Sequence, residues 1–476
     1  MKTAVIGGGI LGLTLAHRLS RRGHSVEVFE SGSQLGGLAQ PQDYGLFVWD
    51  RFYHCILPHD EHLLGLLREL GLERDLRWAV TKTGYFGSGN FYSMSSNLDF
   101  LRFPLLGLID KMRMGAAVVY ATRFTDPFTI YGVTAKDWLT KLFGRRNYKV
   151  FWEPLLKAKL GTYYDKVSAV FLWATLKRLF GARKGTANKE KLGYVTGGYG
   201  RILERFSQVL NEQGVKIHLA APVTSIRPAA NLAGAPSESD NRSAACEVKS
   251  QRADGSSKAS VFDLVLFTAP PRVARKVVSP ELLPHVERME AVYPTSSAYL
   301  GVACGVFVLR EPLTPYYVLN LADPDVELTG LIEMTNLVDS RSETAGRSLV
   351  YLPRYVDSED AVLRESDGNL LEGFVERGLK RLFPDFTEDK VFYRAVHRAQ
   401  YVQPLPLASA GAVKVEGAPE LAPPFQMLGT FMLRCATLNN NEVVALVEEF
   451  VRKNEAALGP ERPAAAELQV AAGAMP

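Results

Sequence analysis

The chain has 476 residues, 47% of them hydrophobic, and carries 55 Lys+Arg against 51 Asp+Glu for a net charge of +4. That mass supports more than one domain around a large core, while the small basic excess excludes the electrostatic footprint of a nucleic-acid binder. The four cysteines, Cys55, Cys246, Cys304 and Cys435, make no Cys-x-x-Cys pair, which excludes a disulfide frame and a zinc site and points to a reducing cytoplasm. Met1 leads straight into a strand, so no signal peptide is expected. The uncharged run Ala291 to Leu309 holds Pro294, Thr295, Ser296, Ser297 and two glycines. It reads as sheet rather than as a membrane span.

The predicted elements begin with an apolar strand, Thr3 to Ile6, running into Gly7-x-Gly9-x-x-Gly12. An apolar helix follows to about Leu19, then a second strand, Ser25 to Phe29, ending on Glu30. This order is what a dinucleotide needs. Gly7 permits the tight turn, Gly9 lets the backbone approach a pyrophosphate, and Gly12 lets helix and strand pack closely. Ile10 and Leu11 open the helix whose N–H groups face the phosphates, and Glu30 can accept hydrogen bonds from a ribose. Ser31 to Ala39 then reads Ser-Gly-Ser-Gln-Leu-Gly-Gly-Leu-Ala. Spacing alone says only that a dinucleotide binds.

The Gly36-Gly37 pair shortly after the ribose acid resembles the second pyrophosphate contact of the FAD-dependent amine oxidase superfamily. That superfamily includes protoporphyrinogen oxidases, phytoene-type desaturases, monoamine oxidases and UDP-galactopyranose mutases. The resemblance implies FAD, with Ser31, Gly36, Gly37 and Leu38 added to its contacts. It also implies an α/β fold: a Rossmann-like (GR2-type) FAD-binding domain, a discontinuous α+β substrate domain and a helical cap. On that pattern residues 1–85, 193–275 and 396–456 build the FAD domain. Residues 86–192 form the cap and first part of the substrate domain, 276–395 its sheet, and 457–476 a flexible tail.

The next stretch, Arg51-Phe52-Tyr53-His54-Cys55, runs beside the flavin in the superfamily. Two readings stay open, a substrate-facing cluster or a polar loop with its aromatics in the core. Tyr53 and His54 are candidates for the flavin face, with Tyr401 from the later Gln400-Tyr401-Val402-Gln403-Pro404 segment. His59 to Leu70 is an amphipathic helix stopped by Gly71, and Trp78 to Tyr92 reads as a hairpin. Helices follow at 105–124, 151–160 and 170–180, forming a helical block over about 93–190. That block is either a cap with buried apolar faces or a peripheral membrane contact through residues 101–124 and 170–184. Arg145 to Gly161, with Tyr53-His54 and Leu192-Gly193-Tyr194, resembles bacterial flavoproteins grouped as protoporphyrinogen-oxidase-like.

Gly197-Gly198-Tyr199-Gly200 opens a further helix, and strands follow at 215–219 and 223–226. In the superfamily this passage returns to the FAD sheet, and the backbone at Val223 would meet the adenine. A second dinucleotide site is not expected. Pro228 to Ser260 is rich in Ala, Ser, Gly and Asp and reads as a polar, poorly ordered hairpin insertion. Val261 to Ala269 resembles the strand that closes the FAD sheet. Strands at 297–309, 316–320, 330–335 and 348–355 and a mostly helical 359–383 would roof the flavin. Near the end the superfamily carries an apolar strand, a glycine and an acid. Here Gly429 is present and Thr430 stands in place of the acid. In the superfamily a helix N-terminus here faces the flavin's pyrimidine edge; the run Asn439-Asn440-Asn441 would cap that helix and donate to the flavin, with Leu438 among the cofactor contacts.

The resemblance implies an oxidase, dehydrogenase or desaturase that moves a hydride from an apolar organic substrate to the flavin ring. The partner is a small molecule, with no nucleic acid and no metal. The rival reading is a sugar isomerase like UDP-galactopyranose mutase, which would need Arg145, Arg354 and Arg394 to clamp a diphosphate. A flavoprotein without catalytic activity is the third.

Overall fold

The computed structural model describes residues 1–181, 190–229, 245–252, 254–408, 417–435 and 438–461. Its organising layer is a five-stranded parallel sheet. We number its strands β1 (Lys2–Ile6), β2 (Ser25–Phe29), β3 (Lys216–His218), β4 (Leu264–Phe267) and β5 (Phe425–Met427), in spatial order β5-β4-β1-β2-β3. β1 lies between β4 and β2, with Val5 opposite Leu266 on one side and Val28 on the other. Leu-Val-Leu-Phe of β4 is buried at every position, as a parallel strand covered on both faces requires. Helix α1 (Ile10–Ser20) is buried from Ile10 to Leu19. It is wedged between the sheet and the helix Asn440–Lys453, which explains its lack of an exposed face. Each fully buried leucine there contributes about 2 kcal/mol of transfer free energy.

Beside this sheet stand Val223–Pro228, Cys246–Gln251 and Ser257–Phe262, paired antiparallel in that order. The predicted poorly ordered insertion is therefore corrected at its two ends, which are strands. Cys246 and Val248 point inward and are buried, a period-2 signal too short to stand out among small polar residues. Residues 230–244 and 253 lie outside the described residues, as do 462–476 of the expected tail.

The second layer is a seven-stranded mixed sheet. Its order is Val391–Pro404, Tyr299–Leu309, Ser348–Asp357, Gly330–Glu333, Val318–Leu321, Thr83–Gly87 and Asn90–Ser93. All eleven residues of Tyr299–Leu309 are buried, so the second half of the uncharged run is a central strand, while its first residues end the helix Leu283–Val292 and form the short 3-10 turn Pro294–Ser297. Its side chains divide by pleat. Ala303, Phe307 and Leu309 join one core with Phe374 and Leu379 of the helical stretch beyond. Val302, Cys304, Val306 and Val308 join another with Tyr44, Trp49 and Tyr351, and this second face looks towards the five-stranded sheet. The hairpin expected over 78–92 is displaced: Leu76–Val80 pairs instead with Lys191–Val195, and Thr83–Gly87 pairs with Asn90–Ser93.

The cap comprises Leu108–Phe124, Ala135–Phe143, Glu153–Leu160 and Ala169–Gly181. Trp138, Phe143, Leu160 and Phe171 are among its buried core. The first of these helices buries only Met114, Ala117 and Ala121. Among the described residues no helix is long and apolar enough to cross a membrane.

Candidate active site

The glycine turn lies where β1 ends. Gly7 has φ +114°, and a Cβ there would fall 2.3 Å from Thr268 Oγ1. That hydroxyl is held in place by donating to the Ile6 carbonyl at 2.7 Å. A Cβ on Gly12 would stand 2.0 Å from the Gly7 carbonyl oxygen, so helix and turn can touch only through glycine. Gly9 differs, since its Cβ would meet nothing closer than the Gly36 carbonyl at 4.0 Å. α1 starts at Gly9 with no side-chain cap and no acid in its first turn. Its first N–H groups are thus left for an anion from outside. Ile10 and Leu11 of that turn point into the core and present only their backbone.

The second glycine turn is bonded to the first. Gly36 N–H donates to the Gly8 carbonyl at 2.8 Å, and Gly36 has φ +116° and Gly37 φ +58°. Gly37 and Ser31 are exposed and Leu38 is half-buried. Together Gly9, Gly36 and Gly37 leave a cradle that side chains would fill. Glu30 closes it: Oε2 accepts from Gly8 N–H at 2.8 Å and Oε1 from Gly32 N–H at 2.7 Å. Its backbone carbonyl accepts from Ala221 N–H, which brings the start of Val223–Pro228 alongside. The Arg51 backbone N–H donates to the Gln40 carbonyl just past this turn. Its Nε is buried without a hydrogen-bond partner, and among the described residues no carboxylate pairs with it. The open glycines and the uncapped helix together fit a dinucleotide pyrophosphate.

At the end of β5, Gly429 is buried and Thr430 half-buried, both at the carboxyl edge shared with Gly7, Glu30 and Thr268. Leu438 packs against the core of this domain. The three asparagines have three different duties. Asn439 Oδ1 accepts from Glu442 N–H and caps Asn440–Lys453. The Asn440 side chain bonds the Tyr199 hydroxyl. Asn441 Oδ1 accepts from His62 and Leu63 N–H, capping the helix Glu61–Glu69. Sequence reasoning saw the cap and missed the other two, because the partners lie hundreds of residues away.

Asp50 ties this floor to the sheet above. Its Oδ1 accepts from Tyr199 N–H at 2.7 Å, at the N-terminus of the helix Gly198–Glu212. Its backbone carbonyl accepts from both the Tyr44 and Tyr351 hydroxyls. His54 rests on the Tyr199 ring, centroids 4.6 Å apart, with Nδ1 3.6 Å from Asp50 Oδ2. Tyr53 turns the other way: its hydroxyl is 3.1 Å from that of Tyr355. Burial and the neighbouring Tyr355 push its pKa well up, so it stays protonated. Tyr401 packs 5.5 Å from Tyr299 against the core of the five-stranded sheet. The structure thus turns the Tyr53 side chain to the roof and the neighbouring His54 side chain to the floor, and places Tyr401 beside Tyr299.

Lys159 is a residue sequence reasoning did not single out. Its ammonium lies 4.9 Å from the Tyr355 ring centroid, and burial lowers its pKa. No pattern separates it from Lys157 in Leu-Lys-Ala-Lys-Leu. The arginines of the isomerase reading do not converge. Arg354 pairs with Glu327 at 3.1 Å and Arg394 with Glu388 at 2.9 Å, while Arg145 is exposed on the cap.

The family model described as flavin containing amine oxidoreductase matches residues 12–427. A 4,4'-diapophytoene desaturase of Staphylococcus haemolyticus is 24% identical over 65% of this chain and 62% of its own length. The curated relatives as a group are matched over 15 to 62% of their length. An oxidoreductase from Methanosarcina mazei superposes with a TM-score of 0.67 at 20% identity, over 95% of this chain and all of that one. A reduced UDP-galactopyranose mutase gives 0.67 at 14%, over 95% of each chain. At these identities both structures show a common fold.

Proposed function

The chain belongs to the family of flavin containing amine oxidoreductases, with FAD as its cofactor, and on that premise we propose that it oxidises an organic substrate of mainly apolar character. The observation that carries the reading is the hydrogen-bonded pair of glycine turns, Gly36 N–H on the Gly8 carbonyl, beside an uncapped helix N-terminus. Bound FAD supplies the ring that accepts the substrate's hydride. The protein's part is position and electrostatics. The N–H groups of Gly9 to Gly12 and the Arg51 guanidinium hold the pyrophosphate. Glu30 receives the ribose hydroxyls, with Ser31, Gly37, Leu38 and Val223 around that half. Gly429, Thr430 and the N-terminus of Asn440–Lys453 hold the other half. Tyr53 and Tyr355 donate neutral hydroxyls on the substrate side, and the inner sheet face with the cap excludes water.

The test is the visible spectrum of the purified protein before and after denaturation. Flavin bands that move to free FAD on unfolding are expected. A colourless protein that also fails to take up added FAD would overturn the reading.

The proposal includes a lipid surface as partner. The outward face of Leu108–Phe124 carries Leu108, Ile109, Met112 and Phe124, exposed by 68, 82, 66 and 70%. Leu101 beside it is 53% exposed, and Arg102 and Arg123 flank the patch. An apolar helix face rimmed by cations suits the interface of an anionic bilayer. Of the second expected segment, 182–184 lies outside the described residues.

A further inference from the structure

Lys159 closes the helix Glu153–Leu160 at the seam where the cap meets the roof. Its position is fixed by one hydroxyl. Thr329 Oγ1 donates to the Ala158 carbonyl at 2.8 Å and accepts from Tyr355 N–H at 3.1 Å. The last turn of the helix is thereby pinned to the strand at the very residue whose ring lies beneath the ammonium. The carboxylates nearby are spent elsewhere. Glu153 pairs with Lys157 at 3.1 Å, and Asp357 accepts from the Tyr163 hydroxyl at 2.5 Å. Among the described residues no acid pairs with Lys159, and burial is the sole cause of its pKa shift.

A cation over a tyrosine ring recovers part of its lost hydration, but a half-buried ammonium with no counter-ion stays incompletely compensated. Such a charge is retained at a cost unless something arrives to pair with it. The surroundings define that something. Tyr355 packs against both the cap core and the inner sheet core, and its hydroxyl meets that of Tyr53. Beside the ammonium lie the Tyr355 ring and the paired, neutral Tyr355 and Tyr53 hydroxyls. One charge matches a monoanion, whereas a diphosphate would need more.

We propose that Lys159 binds the carboxylate of the substrate, so that the substrate is an apolar body with a carboxylate at one end. This rests on the reading that the Tyr53–Tyr355 surface is the substrate chamber. Lys159 is here a positioning residue, and no proton or electron transfer is assigned to it.

The test compares benzoate with neutral benzamide as probes of the flavin-containing protein, by calorimetry and by perturbation of the flavin spectrum. The wild type is expected to prefer benzoate by at least about tenfold, the scale of a charge-assisted hydrogen bond in a sheltered site. Lys159→Met should abolish the preference while keeping its flavin and a Tm no lower than wild type, because it removes an unpaired, half-buried charge. Lys159→Arg keeps the charge and should retain most of the preference. Equal binding of the two probes by the wild type, or an undiminished preference in Lys159→Met, overturns the assignment. Calorimetry reads benzoate whether or not flavin is bound, so a flavin-free preparation would sink the oxidoreductase reading while the Lys159 comparison is still decided on its own.

Discussion

Single residues at this site are constrained for reasons that differ from atom to atom. Gly12 is forced by sterics, since any side chain must displace the Gly7 backbone. Asn441 is a local matter of two amide donors on Glu61–Glu69. The two can be told apart. Gly12→Ala is expected to lose bound FAD and to lower stability by about 2 kcal/mol or more, as overpacking against backbone does. Asn441→Ala should cost about 1 kcal/mol, the loss of a helix cap, with flavin content unchanged. Flavin absorbance per protein and urea midpoints measure both. The glycines and Glu30 were legible in the sequence because their chemistry is fixed by near neighbours in the chain. Lys159 and Asn440 were not. Their meaning comes from Tyr355 and Tyr199, which only the fold brings near.

Helices are joined here by charge as well as by apolar packing. Arg18, buried in α1, donates to Glu69 of Glu61–Glu69 at 2.5 and 2.9 Å and to Glu448 of the C-terminal helix at 2.7 Å. His17 adds a contact to Glu69 at 3.2 Å. Burial pushes the Glu69 pKa up, but the bonds and charges of His17 and Arg18 outweigh it and bring it from 4.5 down to about 2. A carboxyl group lowered in the folded state stabilises it above the unfolded pKa. That contribution is lost as pH falls through the folded value. The wild type should therefore lose stability between about pH 4.5 and pH 2 through this group. Glu69→Gln should be less stable at neutral pH and show a flatter decline over that window. Urea denaturation at a series of pH values would reveal it, and identical slopes would rule the network out as the cause. At this scale the sequence read element types well and partners poorly. Alternation over 78–92 reads as one hairpin, whereas Leu76–Val80 pairs with Lys191–Val195 and the hairpin lies between Thr83–Gly87 and Asn90–Ser93.

For the molecule as a whole, the order of the five-stranded sheet could not be reasoned from local pattern. β4 and β5 join β1 from residues 264–267 and 425–427. Only the resemblance to a known family anticipated that return. The exposed apolar face of Leu108–Phe124 is likewise a property of the packed molecule. The sequence allows cap and membrane contact alike, and the helix buries Met114, Ala117 and Ala121 against the cap while its other face remains outward. Sedimentation with anionic vesicles should recover the wild type. Ile109→Glu with Phe124→Glu should lower that binding by at least about tenfold, from lost apolar insertion and added repulsion. Equal recovery of both proteins would mean that the face serves another purpose.

Asp50 joins these scales. One residue caps the helix at Tyr199 with its carboxylate and receives the Tyr351 hydroxyl of the roof on its carbonyl, and the Arg51 backbone beside it is bonded to Gln40, just past the second glycine turn. Floor and roof therefore share a hinge point made of a single peptide. Thermodynamic linkage makes such a joint work in both directions. If the bound cofactor steadies the roof through Asp50, then a substrate that steadies the roof must tighten the hold on the cofactor by the same factor.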